Sequence, residues 1–300
     1  MQKKHMTRVL TASALALGLI SAATTASAEG IAVTRHNLGS SNRNASGSTV
    51  PSNPWVSSTY TGIVNAGNQY LQTTDEICVV CHTPHGAQNM SVVNAPLWNR
   101  LAGTATYMMY STGTMQGTAA QLNGSGSMSL ACLSCHDGTQ AMDSMINKPG
   151  SSGFATSGSR IGGNWYSGTS LKTSGVGGLG DGFIGTVPTV GTFDSAVILG
   201  TNLSNDHPIG MAYCGGGQAA VGSLAGCADT DFNPQVSGAN GSFWIGSSST
   251  QKENMRTYGT SPATATVECG SCHDPHSAVN RTFLRTSNAG SAVCLTCHAK

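Results

Sequence analysis

The sequence predicts a mostly irregular fold, with short helices at four copies of one cysteine-rich motif and a few short strands between them. Composition is the first reason: 39 of the 300 residues are Gly and 9% are charged, whereas ordinary soluble domains carry about 25% charged residues. Gly loses backbone entropy in a helix, and Ser and Thr side chains compete for backbone hydrogen bonds. Long helices are therefore not expected.

The repeated motif, Cys-x-x-Cys-His, is the second reason. Its four copies are Cys78-Val79-Val80-Cys81-His82, Cys132-Leu133-Ser134-Cys135-His136, Cys269-Gly270-Ser271-Cys272-His273 and Cys294-Leu295-Thr296-Cys297-His298. This run is the signature of c-type haem attachment, in which both thiols bond to the porphyrin and the His binds the iron. Paired cysteines also build zinc sites, but zinc does not require a His after every second Cys. Four haems are therefore predicted, with a haem stack as the core.

The remaining histidines supply a second ligand for every iron. Of the nine His, one is His5 near the N-terminus, and four are the proximal ligands His82, His136, His273 and His298. The four that remain as distal ligands are His36, His85, His207 and His276. One distal His for each haem predicts bis-His, six-coordinate iron of low reduction potential. With both axial positions filled, such iron is suited to carrying electrons and not to binding a substrate.

The first 28 residues have the pattern of an export signal. Lys3, Lys4 and Arg8 form a basic region, residues 9–23 are apolar, and Ala26-Ser27-Ala28 provides a small-residue cleavage site. The apolar run is short for a membrane span. We therefore expect a protein cleaved after residue 28 and located outside the cell or at its surface, with the periplasm as the alternative.

Three segments follow the signal. Residues 29–138 hold an N-terminal arm and the first pair of motifs, 139–267 form a Gly/Ser/Thr-rich insert with one distal His, and 268–300 hold the second pair. Within the insert, β-branched residues at 183–190 and 195–199 predict brief strands.

Cys214 and Cys227 lie in the insert and belong to no haem motif. An exported protein meets an oxidising environment, so the simplest prediction is a disulfide between them. On the chain-entropy model, closing such a loop stabilises the fold by about 3 kcal/mol. A bridge between two chains is the alternative.

The charge balance excludes one class of partner. Without the export signal the chain has 11 Lys and Arg against 13 Asp and Glu, a net charge of −2, and haem propionates would add negative charge. A nucleic-acid partner is therefore not expected. Sparse charge instead favours close self-association, since few like charges repel each other.

Several segments resemble the multihaem cytochromes with doubled Cys-x-x-Cys-His motifs. They are Thr83-Pro84-His85-Gly86, Ala95-Pro96-Leu97-Trp98-Asn99-Arg100, Asn205-Asp206-His207-Pro208-Ile209-Gly210 and His36-Asn37-Leu38. With four haem motifs, an export signal and a Gly/Ser-rich chain, the sequence is most similar to tetrahaem extracellular filament subunits of metal-reducing bacteria, the OmcE-like nanowires. The resemblance implies head-to-tail polymers with stacked haems, in which one distal His comes from the adjacent subunit. His36, on the N-terminal arm, is the candidate for that role.

The leading functional hypothesis is long-range extracellular electron transfer by a haem filament, with other redox cytochromes or extracellular acceptors as partners. The alternative is a discrete periplasmic or secreted tetrahaem carrier, which would more often show a charged docking face. A multihaem reductase is less favoured, because the His count leaves no open iron position. We therefore expect an electron-transfer protein and not an enzyme.

Overall fold

The described part of the chain is built from short elements joined by turns. The computed structural model describes residues 31, 36, 77–117, 119–122, 126–140, 144–147, 159–160, 164–167, 170–173, 199–238, 243–246, 254–277 and 279–299. The predicted export signal lies outside these residues.

Short helices carry three of the four motifs. Helix α1 (Ser129–His136) contains the whole second motif, α2 (Cys269–Cys272) is the third motif up to its His, and α3 (Ala292–Cys297) contains the fourth motif up to its His. The first motif makes a single turn, in which the His82 amide donates to the Cys78 carbonyl at 2.8 Å. Helix α2 is short because both flanking residues are extended, with ψ of 170° before it and 136° after it.

The strands are two to four residues long and pair antiparallel. They are β1 (Ser144–Met145), β2 (Ser159–Arg160), β3 (Asn164–Ser167), β4 (Ser170–Thr173), β5 (Met211–Ala212), β6 (Val236–Ser237), β7 (Phe243–Ile245), β8 (Met255–Thr257) and β9 (Thr266–Val267). β1 pairs with β2, β3 with β4 and β5 with β9, while β6, β7 and β8 form a three-stranded sheet with β7 in the centre. Of the runs predicted as strands, residues 183–198 lie outside the described residues and Leu199 is not in a strand.

Single 3-10 turns complete the regular structure. They occur at Tyr213–Gly215, Arg281–Phe283 and Ala289–Ser291. The middle one includes Thr282 and Phe283 with φ of 56° and 61°, a region that bulky side chains rarely adopt. It lies beside the third motif, where such backbone strain is typical of a ligand-holding segment.

A backbone ladder closes the first motif. The Asn99 amide donates to the Cys81 carbonyl at 2.9 Å, and the Thr83 amide donates to the Leu97 carbonyl at 2.8 Å. His82 lies between the two bonds and forms an antiparallel bridge with Trp98. The backbone of the proximal His is therefore held in an extended conformation.

The third and fourth motifs are closed in the same way. Arg285 takes the position of Asn99 at the third motif, where its amide donates to the Cys272 carbonyl at 2.8 Å. Asn233 takes this position at the fourth motif, where its amide donates to the Cys297 carbonyl at 2.8 Å. At the third motif the closing segment comes after the motif in the sequence, whereas at the fourth motif it comes from the insert, before the motif. The arrangement therefore does not require a fixed order of motif and closing segment along the chain.

Two small hydrophobic clusters support these motifs. The first joins α1 to the segment after the first motif and consists of Val93, Ala95, Trp98, Tyr107, Leu122, Leu130, Ala131, Leu133 and Leu203. The second joins the insert to the third and fourth motifs and consists of Tyr213, Cys214, Ile245 and Met255. The haem-stack core stays a prediction.

The predicted disulfide is confirmed. Cys214 and Cys227 are bonded, with Cα atoms 5.5 Å apart. Cys214 is buried in the second cluster beside Tyr213, whose hydroxyl donates to the Asn233 carbonyl at 2.7 Å and contacts the Cys297 carbonyl at 3.2 Å. The bridge therefore closes the loop that supports the fourth motif.

Among the residues that the structure describes, no helix has the length and apolar character needed to cross a membrane.

Candidate haem-binding centre

The cysteines of the second and third motifs meet. Cys132 and Cys269 share a side-chain hydrogen bond, which raises the pKa of Cys132 and lowers the pKa of Cys269. The two helices that carry them, α1 and α2, pack against each other. The second motif of the first pair therefore lies directly beside the first motif of the second pair.

The other motifs extend this contact in both directions. Burial, followed by the nearby Cys135 thiol, raises the pKa of Cys81 to about 12. At the other end, burial followed by the nearby Cys272 thiol raises the pKa of Cys297 to about 12. Nη2 of Arg100, next to the first motif's closing residue, also donates to the Ser134 carbonyl of the second motif at 3.1 Å, and Cys272 and Cys297 pack against the same cluster. The four motifs thus neighbour one another in the order in which they occur along the chain.

The proximal histidines of the first and third motifs are oriented by backbone carbonyls. Nδ1 of His82 donates to the Pro96 carbonyl, and Nδ1 of His273 donates to the Thr282 carbonyl, each at 2.7 Å. A carbonyl bonded to Nδ1 fixes the tautomer and leaves the Nε2 lone pair for a metal. Both carbonyls belong to the segments that close the ladders, so one element holds the backbone and the ring of each His.

Three proximal histidines lie opposite three of the predicted distal ones. The ring centroids are 6.1 Å apart for His82 and His276, 6.2 Å for His136 and His36, and 6.5 Å for His298 and His207. A metal–imidazole bond is about 2.0–2.1 Å long and a ring nitrogen lies about 1.1 Å from its centroid, so two rings on opposite sides of one metal have centroids about 6.3 Å apart. The three observed spacings fit one metal between each pair.

His36 is held next to His136 by the third motif's closing segment. Its ring stacks on Phe283, with centroids 4.4 Å apart and planes 11° apart. Burial, followed by the neighbouring His136, lowers the pKa of His36 to about 4, so the ring is neutral at pH 7, as a ligand must be. The resemblance assigned His36 to a haem of an adjacent subunit, whereas here it lies beside a proximal His of its own chain.

His276 is oriented by a carboxylate. Its Nδ1 lies 3.4 Å from Oδ1 of Asp274, and the second oxygen of that carboxylate lies 3.7 Å from Nη1 of Arg285. The hydrogen bond with His276 lowers the pKa of Asp274 to about 2 despite the partial burial of the carboxyl. A carboxylate on Nδ1 directs Nε2 towards the metal side and raises the basicity of the ring. His276 follows the third motif but faces His82 of the first.

His207 faces the fourth motif from the insert. Its Nδ1 lies 3.1 Å from the Pro208 carbonyl. The opposing His298 packs against Phe232, with ring centroids 4.6 Å apart. A residue about 90 positions upstream in the sequence is thus brought to the last motif of the chain.

His85 and His273 are the two predicted ligands that remain. Both are exposed, and in the described part of the chain neither ring faces another histidine at the spacing of the three pairs. His85 lies on a firmly held turn, because Nδ2 of Asn147 and Oγ1 of Thr83 donate to its carbonyl at 2.6 and 3.0 Å. One proximal and one distal histidine therefore have no facing histidine among the described residues.

Three side chains with no role predicted from the sequence hold the turn between the two cysteines of their motifs. Nδ2 of Asn99 donates to the Val79 carbonyl at 2.6 Å, and Nε of Arg285 donates to the Gly270 carbonyl at 2.8 Å. Nδ2 of Asn233 makes the equivalent bond to Leu295 at 3.1 Å. Each carbonyl belongs to the residue after the first Cys. These three residues lie at different distances from their motifs, so no regular spacing in the sequence predicts their role. The Asp274-Pro275-His276 run, by contrast, can be recognised in the sequence because it follows its motif directly.

The residues present fit haem. Cys78 and Cys294 are exposed and the other six attachment thiols are partly accessible, so all eight can reach a porphyrin edge. Three imidazole pairs have the separation that one metal requires. The eight thiols, the four proximal histidines and His36, His85, His207 and His276 are therefore the groups that would hold the cofactor.

Comparison with known proteins agrees with this chemistry. A family model described as the doubled CXXCH motif matches residues 261–300. No curated protein matches the sequence significantly. Together with the four motifs, the family match supports a multihaem c-type cytochrome, a protein that binds haem covalently and transfers electrons.

Proposed function

We propose that this protein is a tetrahaem c-type cytochrome with bis-His iron, exported from the cell, that transfers electrons over long distances as the subunit of an extracellular filament. Haem supplies reversible one-electron chemistry at its iron when it is bound.

Two ligands for each iron support electron transfer over catalysis. The ring spacings of 6.1–6.5 Å in three His pairs are the observation that carries the proposal. Two axial His leave no position for a substrate, and they favour low potential. Ligand rings that are fixed in orientation favour the same geometry in both oxidation states of the iron. Here backbone carbonyls and a carboxylate fix the rings through their Nδ1 atoms.

The order of the motifs supports a continuous path. Cys81 packs against the first hydrophobic cluster with α1, the Cys269 amide donates to Oγ of Ser129 in α1 at 2.9 Å, and Cys272 and Cys297 pack against the second cluster. Redox groups arranged in such a series connect one end of a subunit to the other. A filament requires that the series also continue from one subunit to the next.

His85 and His273 are the residues that we assign to this continuation. In this proposal His36 serves the haem at His136 within its own chain, and His85 of one copy serves the haem at His273 of the next. The two exposed rings support a head-to-tail contact, because a donor on one surface and an acceptor on another generate an open polymer. The low content of charged residues, 9%, favours this close packing.

The test compares two histidine variants of the haem-loaded protein by negative-stain microscopy and by electronic spectra. His85→Ala should abolish filaments and leave dispersed subunits in which one haem of four lacks its second His. His36→Ala should still form filaments, with one high-spin haem of four in the filament and two of four in dispersed subunits, which also lack the His85 of a neighbouring copy.

Three results would count against the proposal. Monodisperse wild-type protein with four low-spin haems would favour the discrete carrier and would show that His85 and His273 meet within one chain. Filaments of normal length from His85→Ala would reject the assigned contact. A wild-type haem content well below four for each chain would reject the tetrahaem assignment.

A further inference from the structure

A buried carboxylate lies at the junction of α1 and α2. Glu268 is 3% exposed. It accepts hydrogen bonds from Oγ of Ser127 at 2.5 Å, from Oγ of Ser129, from the Ser129 amide at 3.2 Å and from Oγ1 of Thr266 at 2.9 Å. The Ser271 amide completes the set through a capping box.

The pattern of donors is the pattern that an ionised carboxylate requires. The amides can only donate. The Ser127 hydroxyl oxygen already accepts from the Ser129 amide at 3.1 Å, and the Ser129 hydroxyl oxygen accepts from the Cys269 amide at 2.9 Å, so their protons are directed at Glu268. Five donors compensate much of the cost of burying the charge. Within the described part of the chain, no Lys or Arg forms an ion pair with Glu268.

This anion lies between two attachment sites. Ser129 is the first residue of α1, which carries Cys132, and Glu268 immediately precedes Cys269. Packing at the junction is close, because a Cβ on Gly270 would lie 2.6 Å from Cε of Met128. The separation of the second and third motifs is therefore fixed around the carboxylate.

We propose that Glu268 holds the haem irons bound at the second and third motifs at lower reduction potentials than they would have without its charge. This inference rests on the proposed function, since it requires haem at both motifs. A buried anion favours Fe(III) over Fe(II), and its effect is large where water does not screen it.

The test is a spectroelectrochemical titration of the haem-loaded full chain. Glu268→Gln keeps the size and most hydrogen bonds of the side chain but removes its charge. Two of the four one-electron transitions should move to more positive potential. At a fixed potential the ferric-to-ferrous ratio of those two haems should fall at least tenfold, which corresponds to 59 mV for a one-electron couple. The other two transitions should stay in place and serve as the internal control.

A variant that keeps the charge makes the result specific. Glu268→Asp keeps the charge and should retain the wild-type potentials.

The inference is overturned if Glu268→Gln folds with four haems and unchanged potentials, or if Glu268→Asp shifts them as Gln does, because packing would then set the potentials. It is also overturned if neither variant folds, since Glu268 would then serve the fold. Failure of the proposed function is distinguishable, because it would appear in the wild-type protein as missing haems or as high-spin iron.

Discussion

Asn99→Ala provides the sharpest test of how the first motif is held. Asn99 is fully buried. Its Nδ2 donates to the carbonyls of Val79 at 2.6 Å and Asn147 at 2.7 Å, and its Oδ1 accepts from the Asn147 amide at 2.8 Å. Alanine leaves these three backbone groups without partners, and each unsatisfied buried group costs about 1–3 kcal/mol. At the low end of that range, we expect the free energy of unfolding to fall by about 3 kcal/mol.

Urea denaturation of the haem-loaded protein, monitored by circular dichroism, measures this loss of stability. With a slope of about 1–3 kcal/mol/M, the midpoint should fall by about 1 M or more without a change in slope. The matched control is Asn89→Ala, because Asn89 is exposed and its side chain accepts one hydrogen bond, from the Ser91 amide at 2.9 Å. It should change stability by less than about 0.5 kcal/mol. If the free energy of unfolding of Asn99→Ala stays within about 1 kcal/mol of the wild-type value, the hydrogen bond from Asn99 to the Val79 carbonyl does not support the motif.

Two other perturbations test the opposite end of the molecule and the junction of α1 and α2. Replacing Cys214 and Cys227 together by Ser should lower the free energy of unfolding by about 3 kcal/mol, and an unchanged denaturation midpoint would show that the bridge does not restrain this region. Gly270→Ala should destabilise by about 1–3 kcal/mol through overpacking, because the new methyl group would meet Met128. Its control is Gly113→Ala, where a Cβ meets no atom within 4 Å; equal losses at the two glycines would contradict the close approach.

The repeated ladder explains how so little regular structure can hold a proximal His. At the first, third and fourth motifs, one residue donates both its amide and its side chain to the motif: Asn99, Arg285 and Asn233. The amide closes the backbone behind the second Cys, and the side chain fixes the turn between the two Cys. This local support needs neither a long helix nor a large side-chain core.

The chemistry of the site could be read from the sequence because it resides in contiguous residues. Each motif is a run of five consecutive residues. Cys214 and Cys227 are the two cysteines outside the motifs, so few other pairings were open to them, and their disulfide is confirmed. The nine histidines also allowed the set of ligands to be counted. Counting does not depend on which residues meet in space, so it needed no fold.

Only the tertiary structure decided which ligand faces which. His36 precedes the second motif by about 100 residues. It lies beside His136 and stacks on the ring of Phe283, a residue of the last segment. His276 follows the third motif yet faces His82 of the first. Such pairings depend on contacts between segments that are distant along the chain, and neither composition nor spacing encodes them. The sequence by itself therefore predicted histidines as the ligands, while the packing of distant segments places three of the predicted distal histidines opposite proximal ones and leaves His85 and His273 without a facing histidine in the described part of the chain.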